Sequence, residues 1–469
     1  MNRHRDDQER ERIMKNMTLE RMAQACGGIY HGAEEDKKKE ITEITTDSRK
    51  AQPGCLFAAI KGERADGHDF IPSVFERGAL CVLSERELPK EQGSYIQVNS
   101  TLEALKALAE YYLEQLGIPV VGITGSVGKT STKEMVWAVL SQKYKALKTL
   151  GNFNNELGLP LTVFRLREED EIAVLEMGIS NFGEMHRLAK IAKPDTCIIT
   201  NIGACHLEFL GDREGVLRAK SEIFDFMKED GHVILNGDDD KLSEIQEVKG
   251  IQPVFFGLDT ENQVYADRIR KRGLAGISCR IHGPGVSFDV KIPIPGLHMV
   301  YNALAGTAAG LVYGLSAEEI RRGIESLQPV GGRFHIIETE HYTIIDDCYN
   351  ANPASMKASL EVLQDGVERK VAVLGDMGEL GEDEKELHRQ VGEYAGTLDL
   401  DLCICTGPLC ASLAEGIRSA NPSMEVICFP ALQDLLKHLP GLLKEKDTVL
   451  VKASHFMHFE KVVEKLTCI

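Results

Sequence analysis

No stretch of ~18 or more apolar residues occurs in the sequence, so a membrane-spanning helix is not expected. There is no internal repeat, no heptad run and no low-complexity linker. The opening "MNRHRDDQERERI" is too charged and too acidic for a signal or transit peptide, and reads as a solvated extension over residues 1–16. Positive charge is in short supply: 54 basic against 72 acidic residues leave a net charge of -18. That balance argues against a general nucleic-acid or anionic-membrane binder, so an anionic ligand must be held by a local site. Twelve cysteines are spread irregularly, which fits reduced thiols in a cytosolic protein better than a disulfide framework. Cys403, Cys405 and Cys410 lie close together, but "LDLCICTGPLC" reads as a strand running into a turn rather than as a metal site.

At 469 residues the chain exceeds the size of one growing core, and its rhythm divides into three parts. Residues 17–117 alternate short strand-like and helix-like pieces broken by glycine, enough for a small α/β domain. Residues 118–326 carry the strands "PVVGITG", "IAVLEMG", "TCIITNIG" and "GHVILNGDD", separated by helical stretches such as "TKEMVWAVLSQKY". That alternation is the signature of a mostly parallel sheet with helices on its faces. Residues 327–469 repeat it with "YTIIDDCY", "RKVAVLGDM", "DLCICTG" and "DTVLVKAS", as a second doubly wound, Rossmann-like domain. Polar or glycine-rich loops follow these strands, where open α/β sheets place ligands.

The stretch "VGITGSVGKTSTKEM" carries the first chemistry. Its apolar run supplies a buried strand, and Gly125, Ser126, Val127 and Gly128 a backbone free to approach phosphate. The following helix offers an N-terminus that favours anions. Lys129 can meet phosphate charge, and Thr130 can offer its hydroxyl to Mg²⁺, with Ser131 beside it. Ile123 stands where the full G-x-x-x-x-G-K-[ST] pattern needs glycine, so this is a shortened variant. A magnesium-nucleotide site also needs a carboxylate at a neighbouring strand end, and Glu176 in "EIAVLEMGIS" supplies one. Downstream, "TNIGACHLEFLGDREGVLRAKSEIF" brings His206 and Lys220 toward the same sheet edge. Alone, a histidine is usually structural and a helical lysine a solvated charge; their setting in the nucleotide domain distinguishes these two.

The ordered set "TGSVGKTST", "TLGNFNNELGLPLT", "LEMGIS", "TNIGACHLEFLG", "AKSEIF", "PGLHMVYNALAG" and "GGRFH" resembles the Mur ligases, ATP-dependent amide-forming enzymes of peptidoglycan precursor synthesis. The likeness covers nearly the whole chain. Within the family, "TDSRKAQPGCLFAAIKGERADGHDF", "IIDDCYNANPASMKASL" and "VLGDMGELG" are similar to the branch that adds D-alanyl-D-alanine to UDP-N-acetylmuramoyl-tripeptide. The D-N-P-R acceptor motif of a diaminopimelate- or lysine-adding sibling is absent from the sequence.

The resemblance implies roles for individual residues. Lys129 and the loop amides would hold the ATP phosphates, Thr130 and Glu176 one Mg²⁺, and His206 a second. Lys220 matches the lysine that is carbamylated in this family, which turns a cation into a carboxylate-like group able to support that second metal. Asn154 and Asn155 would line the ATP and acyl-phosphate site, and His298 and Asn302 the adenine side. From the third domain, Arg333 would reach phosphate and Asp346 ribose, with Tyr349, Asn350 and Asn352 in the same cleft. Asp47, Ser48 and Arg49 would contribute to holding the UDP-sugar substrate, while Gly67 and His68 shape a loop of the same signature. Asp376, Met377, Glu379 and Leu380 fall where the incoming dipeptide is expected. "VLVKASHFMHFEKVV" departs from the family's K-G-S-R-x-M pattern at Ala453 and His455, and His455 with His458 is not expected to bind metal.

Charge, apolar runs and cysteine usage predict a cytoplasmic protein with no nucleic-acid partner and no membrane span, expected as a monomer; the need to keep water from an acyl phosphate predicts a third domain that moves over ATP between an open and a closed form. Folylpolyglutamate synthase shares the phosphate-loop and carbamate logic and is the nearest alternative. A GTPase-like binding module is a remote one, because no N-K-x-D guanine-reading motif is present.

Overall fold

The computed structural model describes residues 13–62, 65–89 and 92–468. Most of the charged extension, residues 1–12, lies outside the described residues. Met14 does not belong with a solvated tail: it is fully buried and its N–H bonds the Ile41 carbonyl, so the first core reaches further than the apolar pattern from Met17 implies.

Three sheets follow one another along the chain. In the first, five strands are ordered Ile29–His31, Tyr95–Gln97, Cys81–Ser84, Leu56–Ala58 and Ile44–Thr45, parallel except for the first pairing. The helix Thr101–Leu116 then carries the chain into the central domain. The Ser100 side chain accepts from the Glu103 N–H at its start, and Gly117 ends it at φ +63°, a left-handed turn that glycine adopts without strain. Leu105, Leu108, Ala109 and Tyr112 form its buried stripe, and the Tyr112 hydroxyl donates to the Leu166 carbonyl across the domain boundary at 2.7 Å.

The central sheet has nine strands. Its parallel part places Val120–Thr124 between Ile172–Glu176 and Thr196–Ile199, all three buried on both faces. The chain winds to one side of Val120–Thr124 and then to the other, so the switch point of the topology lies at the phosphate loop. An antiparallel ribbon of Val264–Lys271, Ile277–Gly283 and Val286–Ile292 extends the far edge.

The third sheet has six strands, five of them parallel, with His335–Glu338 antiparallel at one edge. This mixed α/β, three-sheet architecture is the one the alternating strand and helix signals predict. Apolar packing is continuous between the central sheet and the third domain, and between the central sheet and the first. Lys271 pairs with Asp365 at 3.2 Å across the former boundary. The third domain is therefore docked on the central one.

Candidate active site

A cavity of about 840 Å³ lies at the carboxyl ends of the central strands. All three domains line it: Leu102 from the linking helix, residues 126–132 of the phosphate loop and its helix, and Arg333, Tyr349 and Asn350 from the third domain.

The phosphate loop is pinned before any ligand arrives. Gly125 sits at φ +150° with Thr200 Oγ1 only 1.9 Å from where a Cβ would stand, so no other residue fits there. The Ser126 hydroxyl bonds both the Gly203 N–H and its carbonyl, and the Val127 N–H donates to Asn201 Oδ1 at 3.0 Å. Lys129 folds back on its own loop, Nζ donating to the Gly125 carbonyl at 2.8 Å. Burial lowers its pKa, the response expected of a cation waiting in a dry site. Thr130 Oγ1 and Asn154 Nδ2 both donate to Glu176 Oε1, at 3.2 and 2.8 Å. Asn155 Oδ1 accepts from the Gly158 N–H at 2.8 Å, at the start of the helix Gly158–Val163. Ser131 lines the cavity beside them.

Lys220 lies on the helix Arg213–Ser221, fully buried, with no hydrogen-bond partner for Nζ. Burial, then the like charge of Lys129, pushes its pKa down to about 7. It stands behind the lining residues rather than among them. His206 lines the cavity from a left-handed backbone at φ +51°. Its Nδ1 lies 2.6 Å from Glu379 Oε2 of the third domain, although off the direction a hydrogen bond requires.

At the other end, the His298 ring packs 4.2 Å from Phe334, and burial lowers its pKa to about 4, so at neutral pH it is an uncharged flat surface. Its Nε2 is buried and unpartnered. Asn302 accepts from the Thr132 hydroxyl at 2.8 Å. The Arg333 guanidinium lies 4.2 Å above the Tyr349 ring. Asn350 and Asn352 also line the cavity, the latter capping the helix Pro353–Leu363 through a reciprocal bond pair with Ser355.

Three sets of residues singled out in the sequence stand apart from the cavity lining. Asp346 does not reach the cavity: its carboxylate accepts from the Gly332 N–H at 2.8 Å. Side chains alternate along a strand, and it is the next residue, Asp347, that turns toward the cavity. Of the four acceptor residues, Met377 and Leu380 are buried apolar side chains, and Asp376 accepts from the Leu409 N–H. Glu379 alone leaves that loop. Asp47, Ser48 and Arg49 lie outside the cavity, with Arg49 gripping Asp47 through Nε and Nη2 at 2.9 and 2.8 Å. That grip holds the Asp47 carboxyl at about 2. Gly67 keeps close backbone contact with Ile60. Next to it, the His68 Nδ1–H faces Asp66 and Nε2 accepts from the Glu85 N–H, a loop-shaping arrangement.

The structure also adds residues. Lys452, 2% exposed, donates to Asp347 Oδ2 at 2.5 Å and to the Asn350 carbonyl at 3.1 Å, tying a strand end to the Tyr349 loop. Tyr301 and Phe334 flank His298 in the lining. Lys452 occupies the lysine of "VLVKAS", the retained position of a pattern that departs at its neighbours. Ala453 is accommodated because Gly375 opposite it has no side chain.

No group of three or more His, Cys, Asp or Glu able to hold a metal exists among the described residues. The donors nonetheless fit hard cations with other oxygen ligands: Thr130 Oγ1 and Glu176 stand together, and Glu176 Oε2 is buried without a hydrogen bond. Lys220 offers no lone pair to a cation as an ammonium.

Fold and site together define an α/β enzyme with a phosphate-type loop at one end of a cleft that a separate domain also lines. Models of the Mur ligase family cover it in three consecutive pieces: the catalytic domain over residues 40–121, the middle domain over 123–310, and the glutamate ligase domain over 332–455. The chain belongs to the Mur ligase family. It is 41% identical over 431 residues to the UDP-N-acetylmuramoyl-tripeptide--D-alanyl-D-alanine ligase of Bacillus subtilis, across 91% of this chain and 93% of that one. A crystal structure of MurF from Acinetobacter baumannii superposes with a TM-score of 0.88 at 35% identity, covering 96% of this chain and 99% of that one. MurF from Thermotoga maritima, solved in complex with ADP, superposes with a TM-score of 0.80 at 31% identity, over 91% and 97% of the two chains. These relatives do not favour the folylpolyglutamate synthase alternative.

Proposed function

We propose that this protein joins D-alanyl-D-alanine to UDP-N-acetylmuramoyl-tripeptide with ATP, releasing ADP and phosphate, in the cytoplasmic stage of peptidoglycan synthesis. The observation that carries the reading is the cleft itself: a pinned phosphate loop opposite a docked acceptor domain, in a chain whose relatives of the same length carry that name. The enzyme acts as a monomer built of three parts near residues 17–117, 118–326 and 327–469.

A carboxylate does not condense with an amine in neutral water, because its leaving group is poor. Transfer of the γ-phosphoryl group gives an acyl phosphate, which the dipeptide amine attacks; the tetrahedral adduct then collapses to amide and phosphate. Lys129 swings from its loop carbonyls to the transferring phosphate, where fixed positive charge does most of its work. Gly125, Ser126, Val127, Gly128 and Ser131 hold the phosphate chain. Asn154 and Asn155 border the acyl phosphate, and His298 and Asn302 the adenine. Arg333 reaches phosphate. The ribose falls to Asp347 in place of Asp346. Magnesium, when bound, neutralises phosphate charge: Thr130 and Glu176 would hold one ion, His206 and the carbamate of Lys220 a second. An amine near pKa 7 is largely neutral at pH 7.5–8, as addition to CO₂ requires. Tyr349, Asn350 and Asn352 border the substrate cleft, Glu379 meets the incoming dipeptide, and the 47–49 turn holds the UDP-sugar. Closure of the third domain keeps water from the acyl phosphate.

ATP turnover to ADP and phosphate, measured with and without UDP-muramoyl-tripeptide and D-Ala-D-Ala, is expected to need both substrates. Turnover indifferent to them, or equal activity with glutamate as acceptor, overturns the assignment.

A further inference from the structure

Lys133 follows Lys129 by one turn on the helix Lys129–Leu140 and is only 1% exposed. Lysine is rarely buried so completely unless it has a partner. Its Nζ lies 3.0 Å from Glu134 Oε1 and 3.8 Å from Glu176 Oε2. The other oxygen of Glu134 is held by Lys148, whose ammonium sits 3.5 Å from the centre of the Trp137 ring. Lys148, Glu134, Lys133 and Glu176 thus form a row of alternating charge that ends at the cavity.

Glu176 needs such a neighbour. It is 2% exposed, and while Oε1 receives Thr130 and Asn154, Oε2 has no hydrogen bond. Among the described residues, Lys133 is the one lysine or arginine within 4 Å of that carboxylate. Lys129 acts on Glu176 only at longer range, since its ammonium is turned onto the Gly125 and Ser126 carbonyls. A buried carboxylate with no counter-charge is costly, and its cheapest relief is to rotate away toward water.

We propose that Lys133 is a positioning residue for the ligase reaction: it supplies the counter-charge that keeps Glu176 aimed into the cavity before a metal arrives. The two lysines of "GKTSTK" then divide the labour, Lys129 serving phosphate and Lys133 serving the carboxylate. The metal part of this inference rests on the reading of Glu176 as a magnesium ligand; the charge pairing does not.

The test is a double-mutant cycle in thermal unfolding, with Lys133→Met, Glu176→Gln and both together, each in EDTA and again with saturating Mg²⁺ and ADP. In EDTA, Lys133→Met is expected to lower the apparent Tm by roughly 5 °C or more, and Glu176→Gln in that background to restore at least half of the loss. Magnesium with ADP narrows the gap between Lys133→Met and wild type, because the ion takes over the neutralising charge. A loss the same with Glu or Gln at 176 overturns the proposal and leaves Lys133 a packing residue. Coupling in EDTA with no narrowing by magnesium retains the pairing but refutes Glu176 as the metal ligand. If Lys133→Met does not fold, recovery of folding in the double variant supports the pairing. Failure of the double variant where Glu176→Gln alone folds refutes it.

Discussion

The phosphate end and the acceptor end of the cleft are built on opposite plans. At the phosphate end, Gly125, Lys129, Thr130, Asn154 and Glu176 all belong to the central domain and are already hydrogen-bonded to one another or to their own loop. At the acceptor end, the 376–380 loop spends its polar groups on its own scaffold. The Met377 N–H donates to His388 Nε2, the Gly378 N–H to Ser454 Oγ, and Asp376 takes the Leu409 N–H. Only Glu379 faces across to the central domain. On the proposed mechanism, the central-domain groups that meet the phosphate chain are preorganised, and the third domain adds Arg333 and Asp347 to them. The acceptor step uses a site that exists only while two domains are together.

The largest effects are expected at the phosphate end. Lys220→Ala should reduce ligase activity by roughly 10²–10³-fold, with short carboxylates such as acetate or propionate partly restoring it. Removing CO₂ should silence the wild type more completely below pH 7 than at pH 8, because the protonated amine cannot be carbamylated; pKa near 7 sets that window. Full activity of unrescued Lys220→Ala, measured by ADP release, excludes an essential carbamate at the phosphate end.

Glu379→Gln bears on the acceptor end and should act differently. It removes the negative charge beside His206, which in turn holds the Glu379 carboxyl below its ordinary pKa. The expected result is a several-fold rise in KM for D-Ala-D-Ala with ATP affinity unchanged. Solution scattering should show a smaller fraction of the compact form when nucleotide alone is bound. A change in ATP affinity of the same size, or one rigid arrangement in both liganded and ligand-free samples, would merge the two ends into a single site.

This contrast also explains what was legible in the sequence. The phosphate loop and Glu176 can be read because their chemistry is local: glycine, lysine and threonine must be consecutive, and a carboxylate must end the adjacent strand. Lys220 stands out in the sequence by its setting after a strand end of the nucleotide domain, but its carbamate role is visible only through the family resemblance. The choice between Asp346 and Asp347 depends on which face of a strand end meets the cleft, a one-residue phase that two adjacent aspartates leave open. Met377 and Leu380 fall inside a motif, yet motif membership does not separate side chains that touch a ligand from those that hold the loop. Lys133 had a signal, a second lysine one helical turn after the first, but its burial comes from the packing of Glu134 and Lys148 around it.

The smallest effect tests whether the acceptor loop is scaffold. Asp376 is 4% exposed, and burial raises its pKa from 3.8 to about 6, only partly countered by the Leu409 N–H. A carboxyl whose folded pKa lies above its unfolded one holds its proton longer in the native state. Stability then falls as pH rises from about 4 to about 6, by roughly 1–3 kcal/mol over the window once solvent screening is allowed for. Asp376→Asn keeps the neutral form at every pH, and its carboxamide oxygen can still accept from Leu409. The variant should match wild type near pH 4 and melt higher at pH 7.5, with ligase activity altered only modestly. Unfolding at the two pH values decides the matter. Equal destabilisation at both would mean that the ionised carboxylate is held favourably by the loop. A selective loss of D-Ala-D-Ala binding without a stability change would make Asp376 a ligand-facing group and the acceptor end more preorganised than its hydrogen bonds imply.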